Sequence, residues 1–452
     1  MKGLLKVKFN ILLPKEVEYV LDKLNTFGYD AYIVGGCVRD SILKRKPNDW
    51  DVCTSALPDE MIEVFEDHEV IPTGLKHGTI TVIINQMSIE ITTFRIDGEY
   101  SDNRRPDEVE FTTNIIEDLS RRDFTINAMA YHPKEGLIDP FYGLADIENR
   151  FIKCVGDPFN RFTEDALRVL RAIRFSCQLE FAIEPTTTWA IKKMYINLGY
   201  ISKERITSEF NKMIVCKSFY QHLLSNPEIF SHIIPELAEG VGFHQLNPYH
   251  QYTVYDHIAY AVSYSENDLI TKLALLFHDI GKPRCSVLDE NGIGHYYGHA
   301  TVSAEMADKI MKRMKYDNDT REKVVELIKY HDATIEPKHK YIKRWLNKLG
   351  EEQFRRLLNI RTADILAQKT IPNDERFHRV SLAFELIDEI LISEECFTLK
   401  DLAINGKDLL VLGIPEGKQV GEILNQLLNM VIDDEIENDK NKLLKYLKEN
   451  LL

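Results

Sequence analysis

The segment Tyr32-Ile-Val-Gly-Gly-Cys-Val-Arg-Asp40, with Asp49-Trp50-Asp51 nine residues further on, constrains this chain more than any other stretch. A short apolar run over residues 31–34 ends in Gly35-Gly36 and passes into a helical pattern over 38–43, which predicts a strand turning tightly into a helix. Before it, Pro14 opens a predicted helix over 14–27, with Val17, Val20, Leu21 and Leu24 on one face and Gly28 behind. Runs rich in Val, Ile and Thr at 50–54, 78–84 and 88–95 read as strands. The first 135 or so residues are therefore expected to be α/β, with 97–110 a polar, mobile loop. From about 160 onward helical patterns dominate without a β-ladder, and Gly and Pro cluster at 240–248, 289–294 and 406–421.

In a strand, side chains at i and i+2 point the same way, so Asp49 and Asp51 are expected to present two carboxylates on one face. Two hard oxygen ligands that close suit Mg²⁺, which takes its remaining ligands from phosphates and water. Gly35-Gly36 lets backbone approach a triphosphate, the following helix start offers free N–H groups, and Arg39 adds a guanidinium. Each motif alone also describes an ordinary surface pair or turn; their order argues for a site. Arg121-Arg122 opens an apolar run, as a phosphate contact or a solvated charge pair. Over 164–175 a single helix is expected, with Ala166, Leu170, Ile173 and Cys177 as an apolar stripe, Asp165, Arg168 and Arg171 opposite, and Arg174 at the edge. A carboxylate and a guanidinium one turn apart can pair with a nucleobase edge, or with each other as a stabilising ion pair.

The chain of 452 residues carries 56 Lys+Arg against 71 Asp+Glu, a net charge of −15, with 44% hydrophobic residues. That composition builds cores and excludes a disordered chain, and the acidity taken alone argues against a phosphate-rich partner. Residues 150–224, however, hold 12 Lys/Arg against 7 Asp/Glu, a local +5, which is the basic lane an RNA needs. Seven dispersed cysteines without a C-x-x-C, no membrane-length apolar run, and lysines at 2, 6 and 8 imply reduced thiols and a cytoplasmic location. In the helical part, His257, His278-Asp279, His299, His331 and Asp364 form a set of imidazoles and carboxylates suited to a metal that activates water.

Gly35-Gly-Cys-Val-Arg-Asp40, Asp49-Trp-Asp51, Arg121-Arg-Asp-Phe-Thr-Ile-Asn127 and Glu164-Asp-x-x-Arg168 resemble, in type, order and spacing, the class II (bacterial and eukaryotic) tRNA nucleotidyltransferases of the polymerase-β-like superfamily. The resemblance implies an α+β chain: a palm over 1–150, a nucleotide-selecting and RNA-binding neck over 151–245, an HD domain over 246–380 and a tRNA-binding tail over 381–452. It implies CCA addition to tRNA 3′ ends from CTP and ATP, with Mg²⁺ on Asp49 and Asp51 and Glu90 as a candidate third carboxylate. Gly36, Arg39 and Arg122 would contact the triphosphate. Asp165 and Arg168 would read the base, with Glu164 completing the motif and Arg171 and Arg174 at the nucleotide. Thr73-Gly-Leu-Lys-His-Gly-Thr79 stands where poly(A) polymerases carry a basic Arg-Arg-Phe element, and the 97–110 loop fits enzymes that add the terminal A. His257, His278, Asp279 and Asp364 resemble the HD superfamily of metal-dependent phosphohydrolases, implying a second divalent metal, with His299 and His331 in its surroundings or at a further ion. No membrane and no obligate protein partner are expected. The alternatives are an A-adding enzyme, a poly(A) polymerase, an HD phosphohydrolase with a nucleotide-binding domain, and a nucleotide-regulated RNA-binding protein.

Overall fold

The computed structural model describes residues 6–7, 10–98, 109–368 and 374–450, without the side chains of residues 6, 7, 73 and 97. Its backbone falls into two compact units, Met1–Ser218 and Phe219–Leu452.

The first unit is built on one mixed sheet. Strands β1 (Lys6–Val7), β2 (Ala31–Val34), β3 (Asp51–Thr54), β4 (Glu69–Gly74), β5 (Thr79–Ile84) and β6 (Met87–Thr93) belong to it. A short pair follows, β7 (Arg95–Asp97) with β8 (Val109–Phe111), and then β9 (Ala130–His132) and β10 (Gly136–Ile138) complete the sheet. Its spatial order is β1-β10-β9-β2-β3-β6-β5-β4. β3 and β6 run parallel with Asp51 opposite Glu90, whereas β2 and β3 run antiparallel. All of β2 is buried; in β6, Ile89, Ile91 and Thr93 point inward while Ser88 and Glu90 stay exposed. That alternation is what a sheet with one covered face demands.

Helices α1 (Lys15–Thr26), α2 (Gly36–Ile42), α3 (Pro58–Val64), α4 (Ile115–Ser120) and α5 (Gly143–Glu148) pack around the sheet, and α1 buries the four predicted residues Val17, Val20, Leu21 and Leu24. Four more helices follow: α6 (Pro158–Glu164), α7 (Leu167–Leu179), α8 (Pro185–Met194) and α9 (Lys203–Ile214). The expected helix over 164–175 is thus two helices. Asp165 lies in the break, with extended backbone (φ −140°, ψ 104°), and is not on the helix that carries Arg168. The predicted apolar stripe is real: Ala166, Leu170, Ile173 and Cys177 are all buried.

Four further expectations change. Strand β3 starts at Asp51, so Asp49 precedes the strand. β4 went unseen because Pro72 and Gly74 disguise it, and as the edge strand it tolerates both. The helical part does contain short ladders: β12 (Ala182–Ile183) pairs with β11 (Phe151–Ile152), and β13 (Val287–Leu288) with β14 (Gly294–His295). Of the loop over 97–110, residues 97, 109 and 110 are paired strand, and residues 99–108 lie outside the described residues.

In the second unit, α10 (Phe219–Ser225) and α11 (Pro227–Ile233) lead to the bundle that carries the histidines: α12 (Val254–Tyr264), α13 (Leu269–Phe277), α14 (His299–Arg313) and α15 (Asn318–Tyr330). Then come α16 (His339–Leu349), α17 (Glu351–Leu366) and α18 (Glu375–Ile392). The last helices, α19 (Gly406–Val411), α20 (Lys418–Ile432) and α21 (Lys440–Asn450), bury their own cluster of Leu409, Leu427, Leu443 and Leu447. Gly406 therefore opens a helix instead of breaking one. Every cysteine is free, and Cys37, Cys53, Cys154, Cys177 and Cys396 are buried. No helix among the described residues is long and apolar enough to cross a membrane.

Candidate functional site

In the first unit, the turn between β2 and α2 sets the site. Gly35 holds φ +76°, a left-handed conformation in which a side chain is strained, and a Cβ there would lie 3.0 Å from Arg122 NH1. The turn thus brings backbone against a guanidinium. Arg122 is anchored to buried Asp118, NH2 donating to Oδ2 at 3.1 Å, and Arg121 donates to Oδ1 of the same carboxylate at 2.7 Å. Burial pushes the Asp118 carboxyl up, but Arg122 and Arg121 outweigh it and hold the group below its usual range. Arg39 is buried, donates to Asn127 Oδ1 at 2.6 Å and to Asp40, and lies over the Phe175 ring.

Three carboxylates gather across from these cations. Asp51 lies beside Glu90 in the sheet register and two residues after Asp49. Its carboxyl is pushed up to about 6, first by desolvation and then by Asp49 and Glu90, with Arg122 opposing. Neighbouring carboxylates suit a hard divalent cation, which removes their repulsion, although the ligand atoms of these three do not all lie within 4.8 Å of one another.

The predicted base-reading residues are together but differently connected. Arg168 is buried; its NH1 donates to Glu164 at 2.5 Å and to the Arg161 carbonyl at 3.2 Å, and its NH2 to the Arg121 carbonyl at 3.0 Å. Asp165 accepts the Arg168 backbone N–H on its carbonyl at 3.0 Å, while its carboxylate turns to other partners. Its Oδ1 accepts from the Leu167 N–H at 3.0 Å and its Oδ2 from Arg205 NH2 at 2.7 Å. Arg205 on α9 was missed by sequence reasoning, because no local pattern links positions 40 apart. Arg171 forks onto Asp123 at 2.6 and 2.8 Å. Arg174 Nε lies 2.6 Å from Glu209, and its guanidinium stacks 4.1 Å from the Phe175 ring centroid. Burial pushes Asp123 up, but Arg171 and then Arg168 bring it down to about 2.

In the second unit, α12, α13 and α17 deliver His257, His278 with Asp279, and Asp364 to one point. His257 Nε2 lies 3.3 Å from His278 Nε2, 3.3 Å from Asp279 Oδ2 and 3.0 Å from Asp364 Oδ1. The opposite ring nitrogens face carbonyls: His278 Nδ1 lies 2.7 Å from Leu275 O and His257 Nδ1 3.3 Å from Ala367 O. Carbonyls accept only, so each Nδ1 carries a proton, and each Nε2 is the atom turned inward to the carboxylates, where it would bind a metal once deprotonated. Burial opposes a charge on His278, yet Asp279 and Asp364 outweigh it and push this imidazole up to about 10. That proton is the cation the two carboxylates demand in the ion-free chain, and a divalent ion supplies the same charge and displaces it. Asp279, His299 and His331 form a second group able to hold a metal.

Three family models match the sequence: "Poly A polymerase head domain" over residues 31–153, "Probable RNA and SrmB- binding site of polymerase A" over 180–240, and "tRNA nucleotidyltransferase domain 2 putative" over 297–447. A CCA-adding enzyme of Lactobacillus helveticus is 34% identical across 95% of this chain and 96% of its own length. The chain belongs to the CCA-adding enzymes. The CCA-adding enzyme of Enterococcus faecalis is 32% identical over 96% of the chain and 95% of its own. Among solved structures, the Bacillus stearothermophilus CCA-adding enzyme in complex with CTP matches with a TM-score of 0.71 and 28% identity, covering 97% of this chain and 98% of that one. The Thermotoga maritima CCA-adding enzyme complexed with tRNA shares the fold, at a TM-score of 0.59, 21% identity and coverage of 98% and 97%. The α+β class with a polymerase-β-like head and helical body is thus that of the family.

Proposed function

We propose that this chain adds C, C and A from CTP and ATP to tRNA 3′ ends, releasing pyrophosphate, with residues 1–150 as palm, 151–245 as neck, 246–380 as HD domain and 381–452 as tail. The observation that carries the reading is the carboxylate group of Asp49, Asp51 and Glu90 facing Arg122 behind the Gly35 turn. Asp49 and Asp51 are the residues that would hold Mg²⁺. Bound there, the ion neutralises the phosphates and lowers the pKa of the attacking hydroxyl.

The chain's own groups do the positioning. Gly36 and the Gly35 turn admit a triphosphate close to backbone, and Arg39 and Arg122, each locked by carboxylate or amide partners, meet its oxygens. Rigid partners matter because a pre-oriented guanidinium stabilises developing charge without reorganising. Arg168, fixed by Glu164 and two carbonyls, and Asp165, fixed by Arg205, offer a donor and an acceptor toward a base; each carboxylate oxygen keeps a further lone pair. Arg171 and Arg174 brace that edge through Asp123, Glu209 and Phe175. The test is Asp49→Ala/Asp51→Ala with labelled CTP and ATP on tRNA lacking its end: loss of incorporation is expected, and full activity overturns the assignment. Wild-type chain given CTP alone should add two C residues; no incorporation from CTP, with A added from ATP to tRNA already ending in CC, would make it an A-adding enzyme.

The four inward-facing ligands of the second unit support a further activity: His257, His278, Asp279 and Asp364 hold a divalent metal for phosphate-ester hydrolysis. His278→Ala/Asp279→Ala should abolish any phosphate release and leave CCA addition in place. Loss of both activities together would make the second unit's centre part of the addition machinery instead.

A further inference from the structure

A cavity of about 350 Å³ lies against α16 in the second unit. Sites for small ligands typically measure about 300–1,000 Å³. Thr334 and Glu336, from the stretch between α15 and α16, line it together with Tyr341, Arg344, Trp345 and Lys348 of α16. It shares no residue with the carboxylates of the first unit or with the four inward-facing ligands of the second. Positions three and four apart share a helix face, so Tyr341 and Trp345 stand one turn apart with Arg344 and Lys348 beside them.

The indole is held in place. Trp345 stacks on buried Phe354, centroids 5.9 Å apart at 14°, and meets Tyr330 edge-on at 5.5 Å. A fixed indole is a ready platform for a nucleobase, because every base has a π-face to stack. The cations sit beside the rings: Lys348 Nζ lies 3.9 Å from the Tyr330 centroid and 5.1 Å from that of Trp345, and the Arg344 guanidinium 5.8 Å from that of Tyr341. Lys348 has no carboxylate partner among the described residues. Arg344 gives one N–H to Asp433 at 2.6 Å and keeps its remaining donors. The hydroxyls of Thr334 and Tyr341 and the indole N–H of Trp345 have no hydrogen-bond partner among the described residues either.

Two exposed cations at one rim match a phosphate monoester, which carries about −1.5 to −2 at pH 7. A phosphodiester brings a single charge, and the carboxylates of Glu336 and Asp433 beside these cations would repel a running phosphate backbone. Glu336 accepts from Lys338 at 3.2 Å on one oxygen and keeps the other for a ribose hydroxyl.

We propose that this cavity binds a free nucleoside monophosphate, its base against Trp345 and Tyr341, its phosphate at Arg344 and Lys348 and its ribose at Glu336. The site is separate from the nucleotide-addition centre and does not depend on it.

Trp50, Trp189 and Trp345 are the three tryptophans, so the full chain carrying Trp50→Phe/Trp189→Phe emits from Trp345 alone. AMP should quench that emission saturably, and adenosine, which lacks the phosphate, should need about tenfold more or higher. Arg344→Ala/Lys348→Ala in the same background should raise the AMP midpoint by about tenfold or more and leave that of adenosine within about twofold. Absence of quenching by AMP overturns the proposal, as does an unchanged AMP midpoint in the double variant. Equal weakening of AMP and adenosine also overturns it, since the two cations would then only brace the rings. Quenching by tRNA and by no mononucleotide overturns it as well and makes the cavity an RNA contact. Should the double variant lose its folded circular-dichroism signal, Lys348→Met, which keeps the apolar stem beside Tyr330, replaces it and must weaken AMP more than adenosine.

Discussion

Two carboxylates of the first unit show opposite environments acting on one chemical group. Asp51 is pushed up to about 6 by desolvation and by Asp49 and Glu90. A group whose folded pKa exceeds its unfolded one stabilises the fold below the unfolded value and loses that contribution as pH rises through the folded value. In the metal-free chain, stability should therefore fall between about pH 4 and 6, by up to about 3 kcal/mol at 1.36 kcal/mol per pKa unit. Asp51→Asn should flatten that region and raise the thermal midpoint at pH 8 while abolishing nucleotide addition. A lower midpoint would show that the carboxylate is instead satisfied. Asp123 is the reverse case: Arg171 and Arg168 overcome burial and bring it to about 2. Its contribution of about 2 kcal/mol is present above pH 4 and is lost as pH falls toward 2. Asp123→Asn should accordingly destabilise at pH 7, with the gap in urea midpoint from wild type shrinking between about pH 4 and 3.

At the scale of elements, the helix break at Asp165 decides how Asp165 and Arg168, the proposed base-reading residues, are set. The stripe of Ala166, Leu170, Ile173 and Cys177 was legible because helical period shows in any window of sequence. The break was not, since it depends on Arg205 reaching back from α9, a partner that periodicity cannot reveal. The same holds elsewhere. Asp49, Asp51 and the Gly-Gly turn could be read locally, but Glu90 joins them only through the parallel register of β3 and β6. The histidines were legible as types, while the shared carboxylate of Asp279 needed four separate helices in place. Asp165 does two jobs, capping Leu167 and pairing Arg205, and a conservative change separates them. Asparagine caps about as well as aspartate. Asp165→Asn should therefore leave the thermal midpoint nearly unchanged and alter the ratio of kcat/KM for CTP and ATP by about tenfold, the worth of one charge-assisted hydrogen bond. A fall in stability with unchanged nucleotide choice would reduce the residue to a cap.

At the scale of the molecule, an acidic protein must hold an acidic partner. The chain's net charge of −15 coexists with a surplus of basic residues over 150–224, so everything outside that stretch carries −20. Binding then depends on where the cations stand. On α8, Lys192 and Lys193 are exposed one turn beyond exposed Trp189, on a helix within the span matched by the RNA-binding family model. Neither lysine is in an ion pair that would hold it away from a phosphate among the described contacts of this helix. Each phosphate neutralised releases counterions, so the logarithm of affinity falls with the logarithm of salt by about 0.7 to 0.9 per contact. Lys192→Ala/Lys193→Ala should thus weaken binding to tRNA severalfold at about 50 mM salt, lower the slope by about 1.5, and nearly match wild type at about 200 mM. KM for CTP should stay unchanged, because the proposed triphosphate contacts, Arg39 and Arg122, lie on other elements. An equal loss at both salt concentrations would place the RNA away from α8 and leave its two lysines as solubilising charges.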